Sequence, residues 1–260
     1  REGDNIVFGD SAQLIARAAD NPHAAADYTF GLGVLSSIES GDGGNDTITS
    51  GLGKDLVVAG FGQDGVTITG GNNWVVGDNG ELVYTATTSN LETMSSTATS
   101  IGDTDTINTG VGNDQVIGGL GDDSIIVSDG DNVVIGDNGF VQYNGADANP
   151  LTLDVAKTIA PESGGGDDTI TSGSGNDVLI GGDDDGLFGD KGDVITAEDG
   201  TNVVLGDNGQ IDWYGGQFDK IQSTEPDQGG ADLITTGAGA DTIVAGQAGD
   251  SVDAGDGNNI

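Results

Sequence analysis

The chain has 260 residues, of which 44 are acidic and 6 are basic, so its formal net charge is −38. This charge excludes nucleic acid as a natural partner, because phosphates would be repelled, and it makes multivalent cations the expected counterions. There are 49 glycines and no cysteine, so disulfides cannot reinforce a small core. No apolar run approaches the ~18 residues that would suggest a membrane span.

A six-residue phrase, VVGDNG at residues 75–80, divides the chain into units. It recurs as VIGDNG at 134–139 and as VLGDNG at 204–209, with a broken copy, VFGDS, at 7–11. The segment after each copy opens with alternating apolar residues, which is typical of a half-exposed strand. We therefore predict four inserts, each a hairpin or small lobe. The predicted boundaries are 1–10, the end of a preceding unit; 11–78, unit 1 (insert 11–41, repeats 42–78); 79–137, unit 2 (insert 79–102, repeats 103–137); 138–207, unit 3 (insert 138–163, repeats 164–207); and 208–260, an incomplete unit 4 (insert 208–228, repeats 229–260).

The inserts hold the few residues that interrupt a regular pattern. The first insert is rich in alanine at residues 16–26, which is compatible with a helical turn, and all four prolines lie in inserts. His23 is the only histidine, and the sequence suggests neither a nucleophile nor an acid to work with it. We therefore predict that the chain is not an enzyme.

Between the inserts runs a nine-residue repeat. Each repeat has glycines, then an aspartate or asparagine, then a branched aliphatic residue two positions later. One step is longer, from Asp177 to Asp193, where a strict count would put Gly186 at the repeat position and Phe188 inward. The acidic positions are Asp46, Asp55, Asp64, Asp105, Asp114, Asp123, Asp168, Asp177, Asp193, Asp232, Asp241 and Asp250, and the blocks end on Asn73, Asn132, Asn202 and Asn259.

This spacing predicts a coil that binds metal. A strand of about three residues and a turn of about six make one repeat, so two repeats close one coil with its aliphatic side chains inward. Stacking then brings aspartates of neighbouring coils to about 4.8 Å, where they repel unless Ca²⁺ lies between them. We expect the asparagines to be the last positions of each block, with weak or no metal binding.

Several stretches resemble the RTX (repeats-in-toxin) family, among them SGLGKDLV at 50–57, GGLGDDSI at 118–125 and TGAGADTI at 236–243. The resemblance implies an all-β, right-handed parallel β-roll with several calcium ions, roughly ten. It also implies export and folding outside the cell. By this analogy the repeat aspartates supply side-chain ligands, and the turns supply carbonyl ligands at Gly51, Gly53, Gly60, Gly62, Gly110, Gly112, Gly119, Gly121, Gly173, Gly175, Gly237 and Gly239.

Some positions depart from the pattern. The residues before Asp105 lack the double glycine, so we expect an incomplete site there, and Ala248 replaces a glycine. The run Asp183, Asp184 and Asp185 is either a different metal site or a solvated cluster. The aspartates of the GDNG phrases, Asp78, Asp137 and Asp207, read as turn residues, with a second metal role as the alternative.

These features predict a calcium-stabilised structural segment of a long secreted or cell-surface protein, such as an adhesin shaft, surface layer or extracellular filament of a Gram-negative bacterium. Further copies of the chain, end to end or laterally, are the expected partners besides calcium. The alternative is the secretion and folding module of an exoenzyme. Trp74, Trp213, Tyr84, Tyr143 and Tyr214 could bind carbohydrate but more plausibly cover insert cores. Paired threonines could bind ice only if they formed a long, flat file. We expect the inserts to interrupt such a file.

Overall fold

Three sheets of eight strands form the computed structural model, which describes residues 2–16, 31–85, 90–145, 147–160, 164–183, 191–225 and 228–260. Within these ranges there is no helix, which confirms the predicted all-β class. Several predictions fall outside the described residues: the helical turn within 17–26, His23, the repeat position at Gly186, the inward Phe188, and the metal role of Asp184 and Asp185.

Two of the sheets are parallel and are built by the nonapeptides, with strands numbered in chain order. We call them the inner and the outer sheet. In spatial order the inner sheet consists of β1 (Ile6–Phe8), β5 (Leu56–Val58), β7 (Trp74–Val76), β11 (Gln115–Gly119), β13 (Val133–Asp137), β17 (Val178–Gly182), β19 (Val203–Asp207) and β23 (Thr242–Val244). The outer sheet consists of β4 (Thr47–Leu52), β6 (Gly65–Gly70), β10 (Thr106–Asn108), β12 (Ser124–Ile126), β16 (Thr169–Ser172), β18 (Lys191–Ala197), β22 (Ala231–Thr235) and β24 (Ser251–Asp253).

The aliphatic residue of each repeat points between these two sheets. Val57 aligns with Val75 in the inner sheet, and Ile107 aligns with Ile125 in the outer sheet. All four side chains are at most 1% exposed. Burying such a side chain contributes about 1.5–3 kcal/mol, so the period-nine aliphatics hold each coil closed. The predicted coil of two strands, and with it the β-roll, is confirmed.

The four inserts form hairpins, and the hairpins join into one antiparallel sheet. This hairpin sheet contains β2 (Ala12–Ala16) and β3 (Leu32–Ser37), β8 (Gly80–Tyr84) and β9 (Leu91–Ser96), β14 (Gly139–Tyr143) and β15 (Leu153–Thr158), and β20 (Gly209–Tyr214) and β21 (Gln217–Ser223). Successive hairpins pair directly, as at Met94 and Val141. The prediction of separate hairpins or lobes therefore missed a continuous third layer.

A second core lies between the hairpin sheet and the inner sheet. Leu82, Met94 and Val141 pack from the hairpins against Val76 and Ile135 of the inner sheet. The inner sheet is thus buried on both faces, which explains its continuous apolar runs. Trp74 and Tyr84 contribute to this core, with ring centroids 5.9 Å apart, whereas Tyr214 is 64% exposed.

The free face of the outer sheet is almost uncharged. Its two files of outward residues run without interruption through all eight strands, and Asp253 is the only charged residue in them. The expectation that inserts break this face was wrong, because they all leave from turns that enter the outer sheet. One of the two files consists mostly of threonine, and it is interrupted by two residues of other types, Asn108 and Ile126.

Candidate metal centres

The turns from the inner into the outer sheet bring eight repeat aspartates into one file, which we call the carboxylate edge. Each backbone N–H donates to Oδ1 of the aspartate in the next coil, at distances from 2.7 to 3.2 Å. The file continues across inserts, since Asp64 N donates to Asp105 Oδ1 at 2.7 Å although the two residues are 41 apart in sequence. In order, the carboxylate edge contains Asp46, Asp64, Asp105, Asp123, Asp168, Asp193, Asp232 and Asp250.

The opposite turns form a file in which aspartate and asparagine alternate, which we call the mixed edge. Its order is Asn5, Asp55, Asn73, Asp114, Asn132, Asp177, Asn202, Asp241 and Asn259. The expectation that asparagine ends each block was wrong. Blocks stack without a gap on this side, so Asn73, Asn132 and Asn202 are interior.

Several repeat aspartates have one carboxylate oxygen that is buried and forms no hydrogen bond. Asp105 and Asp123 are at most 2% exposed, and the Oδ2 atom of each is buried without a hydrogen bond. A buried polar atom without a partner costs about 1–3 kcal/mol, and more if it is charged, so a repeated set calls for a cation. The same holds for Asp55, Asp64, Asp168 and Asp241.

Backbone carbonyls face the same spaces as these free oxygens. A Cβ atom at Gly77 would clash with both Asp105 Oδ2 and the Gly118 carbonyl oxygen. A Cβ at Gly118 would clash with Asp123 Oδ2 and the Gly136 carbonyl in the same way. Calcium takes six to eight oxygen ligands, including carboxylates and carbonyls, so this donor set fits it. Within the described ranges no three acidic or histidine side chains form a metal cage, so carbonyls have to complete each shell.

The predicted glycine ligands fall into two groups. Most have the left-handed backbone that favours glycine, with φ +130° at Gly62 as an example. Gly119 and Gly60 approach the carboxylates of Asp78 and Asp10. The left-handed group is Gly53, Gly60, Gly62, Gly110, Gly112, Gly119, Gly121 and Gly175. Gly173, Gly237 and Gly239 lack a positive φ but are pressed against the neighbouring coil, and Gly51 lies within β4.

The carboxylate edge carries strong electrostatic repulsion. Burial raises the pKa of Asp105 to about 8, and the nearby Asp64 and Asp103 add to the rise. Burial also raises the pKa of Asp64 to about 6. For Asp123 and Asp168 burial and neighbouring carboxylates hold the pKa well above its usual range. A divalent cation would reverse these shifts, because a nearby positive charge favours the ionised carboxylate.

Asparagine supplies a donor of its own on the mixed edge. Asn132 Nδ2 donates to the Ser128 and Gly130 carbonyls and to Asp177 Oδ1, each at 3.0 Å. Asn73 Nδ2 likewise donates to Asp114 Oδ1 at 2.9 Å and to the Gly71 carbonyl at 3.0 Å. At these turns a side-chain amide donates hydrogen bonds to backbone carbonyls and to a carboxylate.

The geometry places two acids that depart from the sequence pattern. Asp105 lies in the same file as the other repeat aspartates despite its missing glycine pair, and its Oδ2 atom packs where a side chain at Gly77 would clash. Asp183 is 5% exposed and accepts a hydrogen bond from Asn208 Nδ2 at 3.1 Å, so it is not simply solvated.

Comparison with known protein families agrees with this geometry. The family model of the RTX calcium-binding nonapeptide repeat matches four times, at residues 40–66, 108–140, 162–193 and 228–260. This chain is an RTX repeat protein. Neither the curated proteins nor the solved structures gave a match. The RTX repeats bind calcium, and the four matched segments contain most of the carboxylate edge.

RTX repeat proteins are typically secreted. No helix in the described part of this RTX chain is long and apolar enough to cross a membrane.

Proposed function

We propose that the chain is a calcium-stabilised structural segment of a long protein outside the cell or on its surface, in an adhesin shaft, surface layer or filament of a Gram-negative bacterium. The observation that carries the proposal is the continuity of the three sheets. Each contains eight hydrogen-bonded strands and runs through all units. Eight strands at about 4.8 Å make a rod roughly 35 Å long that has no hinge between units.

The open ends of the sheets support end-to-end continuation. Strands of the hairpin sheet alternate in direction from β2 to β21, so β21 of one copy can pair with β2 of the next in the antiparallel pattern. Leu14 on β2 is 41% exposed and lies where a preceding hairpin would cover it, because the equivalent Leu82 aligns with Leu35 and is fully buried. The nearly uncharged face of the outer sheet offers a lateral contact on which two highly acidic copies repel each other least.

Calcium dependence is tested by circular dichroism with and without a chelator. We expect β structure in calcium and its loss in EGTA, with roughly ten ions bound per chain. A β spectrum that is indifferent to chelator would overturn the calcium part of the proposal.

The shaft is tested with two copies joined in tandem. Ile260 hydrogen-bonds with Asp241 and Ile243 as the first residue of a further inner strand, which is the position of Ile6 beside Leu56. A second copy starting at Val7 therefore keeps the register. We expect small-angle scattering in calcium to give a maximum dimension longer by one rod length. The alternative, a folding module of an exoenzyme, predicts two copies that pivot about a flexible junction.

A groove favours carbohydrate as a second candidate ligand. Its volume is about 560 Å³, and Trp74, Tyr143 and Trp213 line it together with the amides of Asn72 and Asn113. Ligand pockets commonly have this size and this mixture of aromatic and polar groups. A glycan array should give a signal that Trp213→Ala abolishes and that Tyr214→Ala, outside the groove, leaves unchanged. Identical glycan profiles for both variants would contradict this candidate.

A further inference from the structure

The aspartate of each GDNG phrase is not a nonapeptide aspartate, and Asp78 lies beside Asp105 and Asp64 of the carboxylate edge. Asp78 is 1% exposed and Asp207 is 2% exposed. Each lies between two glycines, because a Cβ at Gly102 or Gly119 would clash with Asp78 and a Cβ at Gly229 or Gly246 would clash with Asp207. Asp137 lies between Gly165 and Gly182, and Asp10 between Gly43 and Gly60, in the same way.

One oxygen of these carboxylates holds the neighbouring turn. Asp78 Oδ2 accepts a hydrogen bond from the Leu120 N–H at 2.6 Å, and Asp10 Oδ2 accepts one from Phe61 N–H at 2.6 Å. Gln247 N–H donates to Asp207 Oδ2 in the equivalent place. The other oxygen, Oδ1, is buried in both Asp78 and Asp207 and forms no hydrogen bond of good geometry, although the N–H groups of Asp103 and Gly230 lie near the two carboxylates. Asp105 and Asp123 show the same pattern, in which one oxygen accepts a hydrogen bond from the neighbouring coil and the other is buried without one.

Like charges surround these aspartates. Asp78 interacts with Asp105 and Asp64, and Asp123 interacts in turn with Asp105 and Asp78. Asp78 therefore adds a negative charge to an edge that already lacks enough positive charge. An aspartate that only shaped a turn would not need to be buried among these carboxylates.

The same phrase anchors the start of a hairpin. Gly80 N–H, two residues after Asp78, donates to Ser37 Oγ of the preceding hairpin at 3.1 Å. The contact recurs from Gly139 to Ser96 and from Gly209 to Thr158, each at 3.1 Å. Asn79 Nδ2 also donates to the Ser40 carbonyl at 3.2 Å. Each GDNG turn thus joins the roll, its own hairpin and the hairpin before it.

We propose that Asp10, Asp78, Asp137 and Asp207 are additional calcium ligands, and that calcium held by them docks the hairpin sheet onto the roll. This inference rests on the proposed calcium-stabilised function, and it adds a second ligand set to that of the nonapeptides. Calcium then controls two things in one chain: closure of the coils through the repeat aspartates, and attachment of the third layer through the GDNG aspartates.

The test compares Asp78→Asn with Asp219→Asn, an exposed acid in β21. Asparagine keeps an oxygen for the Leu120 N–H and replaces the other oxygen, the proposed ligand, with an NH2 group. Calcium titration should give about one ion fewer for Asp78→Asn and no change for Asp219→Asn. Hydrogen exchange followed by mass spectrometry should show that the calcium concentration protecting residues 80–96 rises about tenfold or more. The other three hairpins serve as internal controls.

Separate results distinguish the two proposals. Equal stoichiometry and equal protection in both variants would overturn the role of Asp78 while leaving the calcium-dependent roll intact. A wild-type protein that binds no calcium would instead remove the proposed function itself. If Asp78→Asn does not fold in excess calcium, Asp207→Asn is measured at residues 209–223, with the exposed Asp219→Asn as its control. Unchanged protection of that last hairpin would equally overturn the inference.

Discussion

The turns of the mixed edge differ in whether they carry an amide or a carboxylate. Asn132 Nδ2 lies within hydrogen-bond distance of two carbonyls and of the Asp177 carboxylate. We expect Asn132→Asp to add a buried negative charge among these acceptors and to create a further calcium site. Near the calcium midpoint of the wild type, the free energy of unfolding should fall by about 3 kcal/mol, and excess calcium should restore it.

Calcium titrations followed by circular dichroism measure the effect of Asn132→Asp. Asn113→Asp makes the same change at an exposed position next to Asp114 and should leave the calcium midpoint almost unchanged. A variant that is equally stable at low and high calcium would show that the amide does not stand in for a cation.

Ala248 has a strained backbone conformation that affects the stability of the protein. Its φ is +73°, in a turn where other repeats have glycine. The left-handed conformation costs a residue with a Cβ about 1–2 kcal/mol, so Ala248→Gly should stabilise the calcium-loaded protein by about 1 kcal/mol. Ala240→Gly, at a position without positive φ, should destabilise it slightly because glycine has more freedom in the unfolded chain. Chemical denaturation in saturating calcium should give opposite signs for the two variants.

At the level of the elements, the carboxylate edge makes the calcium-free fold dependent on pH. Burial raises the pKa of Asp64 to about 6 and that of Asp105 to about 8, from an ordinary value near 3.8. A carboxyl with a higher pKa in the folded state binds its proton more tightly there. Its contribution to stability is therefore fully present below about pH 3.8 and is lost as pH rises through 6 and 8.

Calcium-stripped protein should accordingly gain β structure on acidification, between about pH 8 and pH 4, and lose it again on return to neutral pH. Circular dichroism across this range measures the transition. With saturating calcium the dependence should weaken above pH 5, because the cation replaces the proton. Calcium-free protein that is most folded at alkaline pH would contradict the upward shift of these pKa values.

The sequence predicted the two parallel sheets but not the third layer. The period of nine, with an aliphatic residue such as Val57 or Ile107 two places after each aspartate, defines a coil through local geometry. How hairpins pair with each other depends on residues far apart in sequence, such as Met94 and Val141, and no local period reports such contacts. The alternation of Asp and Asn on the mixed edge was hidden for the same reason, because it appears only after blocks are stacked across inserts.

For the whole molecule, we expect the stacked carboxylates to make folding depend on calcium. A compact chain of this length has a radius of gyration of about 18 Å, slightly more if elongated, and an unfolded one about 56 Å. Small-angle scattering should therefore give a value near the first in calcium and move towards the second in chelator. Loss of the calcium ions increases the radius of gyration. The net charge of −38 increases it too, because self-repulsion expands the chain.

Monovalent salt separates these two causes of expansion. At 1 M the screening length is about 3 Å, so sodium chloride weakens repulsion between exposed charges across the whole surface. Buried carboxylates such as Asp105 and Asp123, with free oxygens that need a ligand, are screened far less. We therefore expect calcium-free protein in 1 M sodium chloride to contract only partly and to regain little β structure, whereas millimolar calcium restores both. Full compaction by sodium chloride alone would mean that net charge, rather than the sites at the turns, opposes the fold.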